Sequence, residues 1–180
     1  MATNLNENFI NSTLNDIKVE LLSEFDRNFE RQAFFNQAWK KRSTPSAATR
    51  AILINTGALR QSLKANITQN GVVFSSVLPY AAIHNNGGTI RVTKRMKAYF
   101  FHRFKETVGA MSMTKKGAFA MNKKNRTLTP LALFYRSMAL KKEGSQITIP
   151  PRRFLGNHQT VEQKVKNIIT TNIKNIYKKL

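Results

Sequence analysis

The chain has 180 residues, of which 41% are hydrophobic and 12 are Phe, so it supports one domain with its own core and lacks the composition of a disordered chain. It contains no Cys, which excludes disulfide scaffolds, thiol nucleophiles, iron–sulfur clusters and cysteine zinc sites. Thirty Lys and Arg against nine Asp and Glu give a net charge of +21, and residues 1–30 hold six of the nine acids with only two bases. Such a basic remainder favours nucleic acid, an anionic surface or an acidic neighbour, and it opposes compaction by self-repulsion. The polar start from Met1 to Asn8, and apolar runs no longer than Ala51 to Ile54, predict a soluble, non-secreted protein with no membrane partner.

In chain order, Leu14, Ile17, Leu21, Phe25 and Phe29 recur at spacings of three and four and predict a helix from Thr13 to Phe35, capped by Ser12 or Asn11. Its acids lie toward the start, where the helix dipole favours negative charge. Ser43 to Thr49 has the composition of an exposed loop. Leu63 to Gln69 and Val72 to Leu78 predict strands joined by an Asn70-Gly71 hairpin turn. Asn85-Asn86-Gly87-Gly88 is a second turn cluster leading into a strand at Thr89 to Thr93, and a last strand runs from Gln146 to Ile149 before Pro150-Pro151. Val161, Val165, Ile168, Ile169, Ile173, Ile176 and Leu180 form the stripe of a C-terminal helix, with Thr160 and Gln163 as a capping box. The fold class is therefore α+β, a single domain over 1–180 with a long N-terminal helix, a small antiparallel sheet of about four strands and a C-terminal helix.

Residues 94–144 read as a basic insertion within that domain. Met96, Phe100, Phe104 and Val108 predict one amphipathic helix, and Thr129-Pro130 reads as the cap and first residue of another, which carries Leu131, Phe134, Tyr135 and Met138. The Lys- and Asn-rich stretch from Met111 to Thr127 has no usable period and is expected to be a mobile loop.

Catalytic chemistry finds little support. Outside the first helix the acids are Glu106, Glu143 and Glu162, each placed as on a surface, and His84, His102 and His158 lack metal-ligand spacing. No catalytic group, metal or cofactor is assigned. Nucleic-acid binding is the chemical alternative, since the cations suffice for many phosphate contacts.

Four segments in order carry a resemblance. They are Ala38-Trp39-Lys40, the run from Ile52 to Leu63 through Asn55-Thr56-Gly57-Ala58-Leu59-Arg60, Tyr80-Ala81-Ala82-Ile83-His84-Asn85-Asn86-Gly87, and Ile149-Pro150-Pro151-Arg152-Arg153-Phe154-Leu155-Gly156. With them the chain resembles the bacteriophage virion morphogenesis family, also described as tail-completion or neck proteins. The resemblance implies a non-enzymatic virion subunit, made in the host cytoplasm, that forms a ring at the head–tail junction and meets portal or connector and tail proteins. The alternative is a DNA-binding or packaging accessory acting through its basic surface.

At the matched positions Gly57 and Gly87 permit tight turns. Arg60, Arg152 and Arg153 offer forks for carboxylates and Phe154 an apolar anchor, so these four are interface candidates, the two later arginines exposed after the prolines. Asp16, Glu20 and Glu24 are expected to meet the basic face of the next subunit. Lys115, Lys116, Lys123, Lys124 and Arg126 are expected to face packaged DNA in the channel or an acidic partner.

Overall fold

The computed structural model describes residues 2–42, 51–69 and 71–178. The loop at Ser43 to Thr49, Asn70 of the expected turn and Leu180 lie outside the described residues. The chain gathers into two compact units. The first comprises residues 1–40, 52–87 and 150–180, the second residues 41–51 and 88–149.

The first unit is built on helix α1, Ala2–Arg31. It begins some eleven residues before Thr13, because residues 2–12 contain no Gly or Pro to stop a helix even though the apolar stripe starts later; Asn11 and Ser12 are interior residues and not caps. It ends at Gln32, which turns to a left-handed φ of 55°. The Gln32 carboxamide explains why it ends there: its nitrogen donates to the carbonyls of Phe29 and Ile52, while its oxygen accepts the Ile52 N–H. The chain then makes a minimal hairpin, β1 (Ala33–Phe34) with β2 (Gln37–Ala38). A short helix α2 (Ala58–Gln61) leads into the β3–β4 hairpin, Leu63–Thr68 with Gly71–Ser76, registered from Leu63↔Ser76 to Thr68↔Gly71. Helix α3 (Ala81–Asn86) follows.

One face of α1 supplies Ile17, Leu21, Phe25 and Phe29 to a core shared with Phe34, Trp39, Leu59, Leu63, Ala81 and Phe154. Phe29 is fully buried, with its ring 5.6 Å from Trp39 and 5.2 Å from Phe154, and Phe25 packs edge-on to Phe74 at 5.1 Å. Burying each such ring contributes about 2–3 kcal/mol. Helix α6 (Gln159–Tyr177) lies along α1. Its cap is His158, whose Nδ1 accepts the Thr160 N–H at 3.1 Å, so Thr160 sits inside the helix and does not cap it.

The second unit contains the ladder β5 (Gly88–Arg91) with β6 (Gln146–Ile149) and the helices α4 (Lys94–Gly109) and α5 (Lys123–Ala139). The four strands expected to form one sheet are thus two separate two-stranded ladders. Helix α5 starts well before Thr129-Pro130, because Asn122 caps it by accepting the Asn125 N–H at 2.8 Å. Pro130 lies inside the helix and forgoes one backbone bond. The stretch expected to be a mobile loop is braced instead. Buried Asn125 accepts from the Ser112 N–H and donates to the carbonyls of Ser112 and Ala120, each at 2.8–2.9 Å, and Met113 bridges to Phe119.

Candidate functional site

In the first unit, the first and third motif segments meet the fourth along its extended stretch 150–156. Backbone polar groups there have no ladder to join, and unpaired buried ones are costly, so other elements must supply partners. The Asn85 side chain, from α3, does most of this. Its oxygen accepts the N–H groups of Phe154 and Leu155 at 2.8 and 2.9 Å, and its nitrogen donates to the Leu155 carbonyl at 3.1 Å. Asn28 of α1 donates to the Phe154 carbonyl at 3.2 Å and accepts the Phe35 N–H at 2.9 Å. Trp39 Nε1 donates to the Arg153 carbonyl at 2.6 Å, and the Arg152 N–H reaches the His84 carbonyl at 2.8 Å.

This knot fixes the side chains named from sequence. Phe154 is buried against Phe29. Arg152 is buried too, contrary to the exposed position expected after two prolines: the knot draws it inward, where Arg152 Nε donates to the Lys40 carbonyl at 3.1 Å and burial pushes its guanidinium below the ordinary range. Arg153 stays exposed, its guanidinium 5.3 Å from the centre of the Phe34 ring. Arg60, from the second motif, forks to Asp26 and to Glu30 of α1, and these bonds raise its pKa. Gly57 caps α2 at φ 79°, and Gly87 adopts φ 74°, ψ −179°, a conformation open almost only to glycine.

The three α1 acids expected to meet the next subunit, Asp16, Glu20 and Glu24, have partners within their own chain. Glu24, with 4% of its side chain exposed, pairs with Arg27 at 2.6 Å, Arg31 at 3.0 Å and Lys164 of α6 at 3.3 Å. Burial alone pushes its carboxyl up, but the bonds and charges of Arg31 and Lys164 outweigh this and hold it below the ordinary glutamate range. Glu20 takes the same Lys164 at 2.5 Å, and Asp16 accepts from Asn172 at 2.8 Å. They form a seam between α1 and α6.

Lys115, Lys116, Lys123, Lys124 and Arg126 are all exposed, in the turn that Asn125 braces and in the opening of α5. These five belong to the second unit, whereas the acids and the motif knot belong to the first. Of the histidines, His84 is partly buried with Nδ1 unpartnered, His102 lies 3.2 Å from Glu106, and His158 stacks on Phe35.

Asn28, Gln32, Asn85, Asn125 and Lys164 escaped the sequence reading. A carboxamide's role depends on which backbone group it faces, and only Asn85 carried a signal, by lying inside a matched motif.

Two further surface features belong to the first unit. An apolar groove of about 590 Å³ is lined by residues including Leu14, Leu21, Val72, Phe74, Leu155 and Val165, with no charged group among its walls. Beside it α6 leaves Ile169, Ile173 and Ile176 37–40% exposed. Among the described residues no helix is long and apolar enough to cross a membrane.

Compared with known proteins, the sequence matches the profile of the phage virion morphogenesis family over residues 5–174. No curated protein and no solved structure shows significant similarity to it.

Proposed function

The chain belongs to the phage virion morphogenesis family, and we propose that it is a structural subunit of a tailed-phage particle, forming a homo-oligomeric ring in the neck where the head's connector meets the tail. The observation that carries this reading is α6. It is a 19-residue amphipathic helix without one buried residue, and its outer isoleucines run along the surface next to an uncharged groove. Apolar surface of this extent is kept where another chain covers it. A contact between unlike faces of identical subunits closes into a ring when the rotation per subunit allows. In this reading the protein works through contacts, without turnover.

The test is an Ile169→Glu/Ile173→Glu variant compared with wild type by light scattering after size exclusion and by negative-stain microscopy. Wild type is expected to form a closed species of defined copy number, and the variant to remain a folded monomer by the fluorescence of Trp39. Mass spectrometry of purified particles should find the chain at fixed stoichiometry. A wild type that stays monomeric at every concentration and is missing from particles refutes the proposal.

A further inference from the structure

The net charge is concentrated in one place. Residues 41–51 and 88–149 carry 17 Lys and Arg against two Glu, so the second unit holds +15 of the chain's +21. Its described ion pairs all fall on one acid, Glu106. Further copies of the chain cannot answer this excess. The first unit is itself basic, with 13 Lys and Arg against seven acids, and Glu20, Glu24, Asp26 and Glu30 are already paired within it. Each added copy brings more cations, so the counter-charge comes from outside the chain.

Helix electrostatics point the same way. Lys94, Arg95 and Lys97 open α4, Lys123, Lys124 and Arg126 open α5, and neither first turn holds an acid. Cations there oppose the helix dipole, at about 0.3–1 kcal/mol each where exposed.

The two helices run antiparallel, with Phe100 ringed by Phe134 and Tyr135 at about 6 Å, and with Ser112 tied to Asn125. They make a rod about 25 Å long. Duplex DNA carries a charge every ~1.7 Å of its axis, hence about 15 over that length, and residues 94–139 set 11 Lys and Arg against one Glu along it. The turn at one end is held in shape by the three Asn125 bonds and by Thr114 N–H to the Ala118 carbonyl at 2.7 Å, so Lys115 and Lys116 project from a braced tip beside the opening of α5.

We infer that the second unit is a nucleic-acid backbone-binding surface, sequence-independent and centred on Lys115, Lys116, Lys123 and Lys124. It contacts phosphates whether or not the chain forms a ring.

The test uses the full chain and a labelled 30-base-pair duplex of mixed sequence, with affinity read by fluorescence anisotropy between 50 and 300 mM NaCl. Replacing the four lysines by Ala (K115A/K116A/K123A/K124A) should flatten the log–log salt slope by about 3–4 and weaken binding at least tenfold at 100 mM, since each phosphate contact contributes about 0.9 to the slope. A variant of equal charge loss in the first unit (K18A/K40A/K64A/K178A) should weaken binding less than threefold. Circular dichroism checks that both remain folded. An unchanged slope in the tip variant, an equal loss in the control, or poly-glutamate binding as tightly as the duplex overturns the inference. Light scattering on the same samples reads assembly independently, so a ring that forms without binding the duplex sinks this inference alone, and a monomer that binds it sinks only the ring.

Discussion

Replacing Asn85 by Ala tests the motif knot at its centre. The change removes four hydrogen bonds, three of them to the 154–155 backbone, and strands two backbone N–H groups, those of Phe154 and Leu155, in a segment whose Phe154 is almost fully buried. A stranded buried donor costs about 1–3 kcal/mol, so the expected destabilisation is about 3 kcal/mol. Asn85→Asp supplies the control, because it keeps the oxygen that accepts both N–H groups but loses both bonds of the amide nitrogen, to the Leu155 carbonyl and to Asn86 Oδ1, and turns a carboxylate oxygen toward those acceptors; about 1–2 kcal/mol is expected. Urea unfolding followed by fluorescence suits the measurement, since the single Trp, Trp39, is itself bonded into the knot. At a slope of ~2 kcal/mol per molar, the Ala variant should unfold about 1.5 M earlier than wild type. A midpoint within 0.2 M of wild type for Ala, or an Asp variant as damaged as Ala, refutes the assignment of Asn85 as the partner of those donors.

Phe154→Ala should cost about 3–5 kcal/mol in the same assay, as expected for a large ring removed from a packed core. Gly87→Ala forces a side chain into a conformation it rarely adopts and should cost about 1–3 kcal/mol, read by thermal melting. Glu24→Gln should flatten the acid limb of the stability profile. The folded carboxyl titrates below its ordinary value near 4.5, so its contribution is complete above that pH and is lost as pH falls through the lower folded value; melting temperatures from pH 3 to 7 that fall equally in both proteins would contradict this. Asn125→Ala should raise hydrogen exchange over residues 111–122 while leaving the first unit protected, as seen by mass spectrometry of peptic fragments.

What could be read from sequence was whatever depends on period or local chemistry. The stripe Ile17, Leu21, Phe25 and Phe29 placed the core face of α1, and the spacing of Met96, Phe100, Phe104 and Val108 located α4. Helix starts failed where capping competed with pattern: Asn122 opens α5 about two turns before the Thr129-Pro130 pair that looks like a beginning, and His158 displaces Thr160. The roles of the matched arginines were hidden for another reason. A guanidinium after two prolines looks solvent-facing in one dimension, yet Arg152 is drawn inward because Asn85 and His84, some 70 residues earlier, pin its neighbours. In the same way Glu20 and Glu24 resemble surface acids until Lys164, on the far side of the sequence, closes over them. The five cations named between Lys115 and Arg126 were recognisable as a group because they need no partner inside the chain.

Gly88 and Ile149 are direct partners in the β5–β6 ladder, so a 62-residue excursion departs and returns through one doorway about 5 Å wide. Such an attachment leaves Asn85 and Phe154, on either side of the threshold in sequence, joined by their own bonds and not by anything within the excursion. Splicing a short turn between Thr89 and Thr148 should therefore yield a smaller chain in which Trp39 still melts cooperatively, stripped of most of its positive charge.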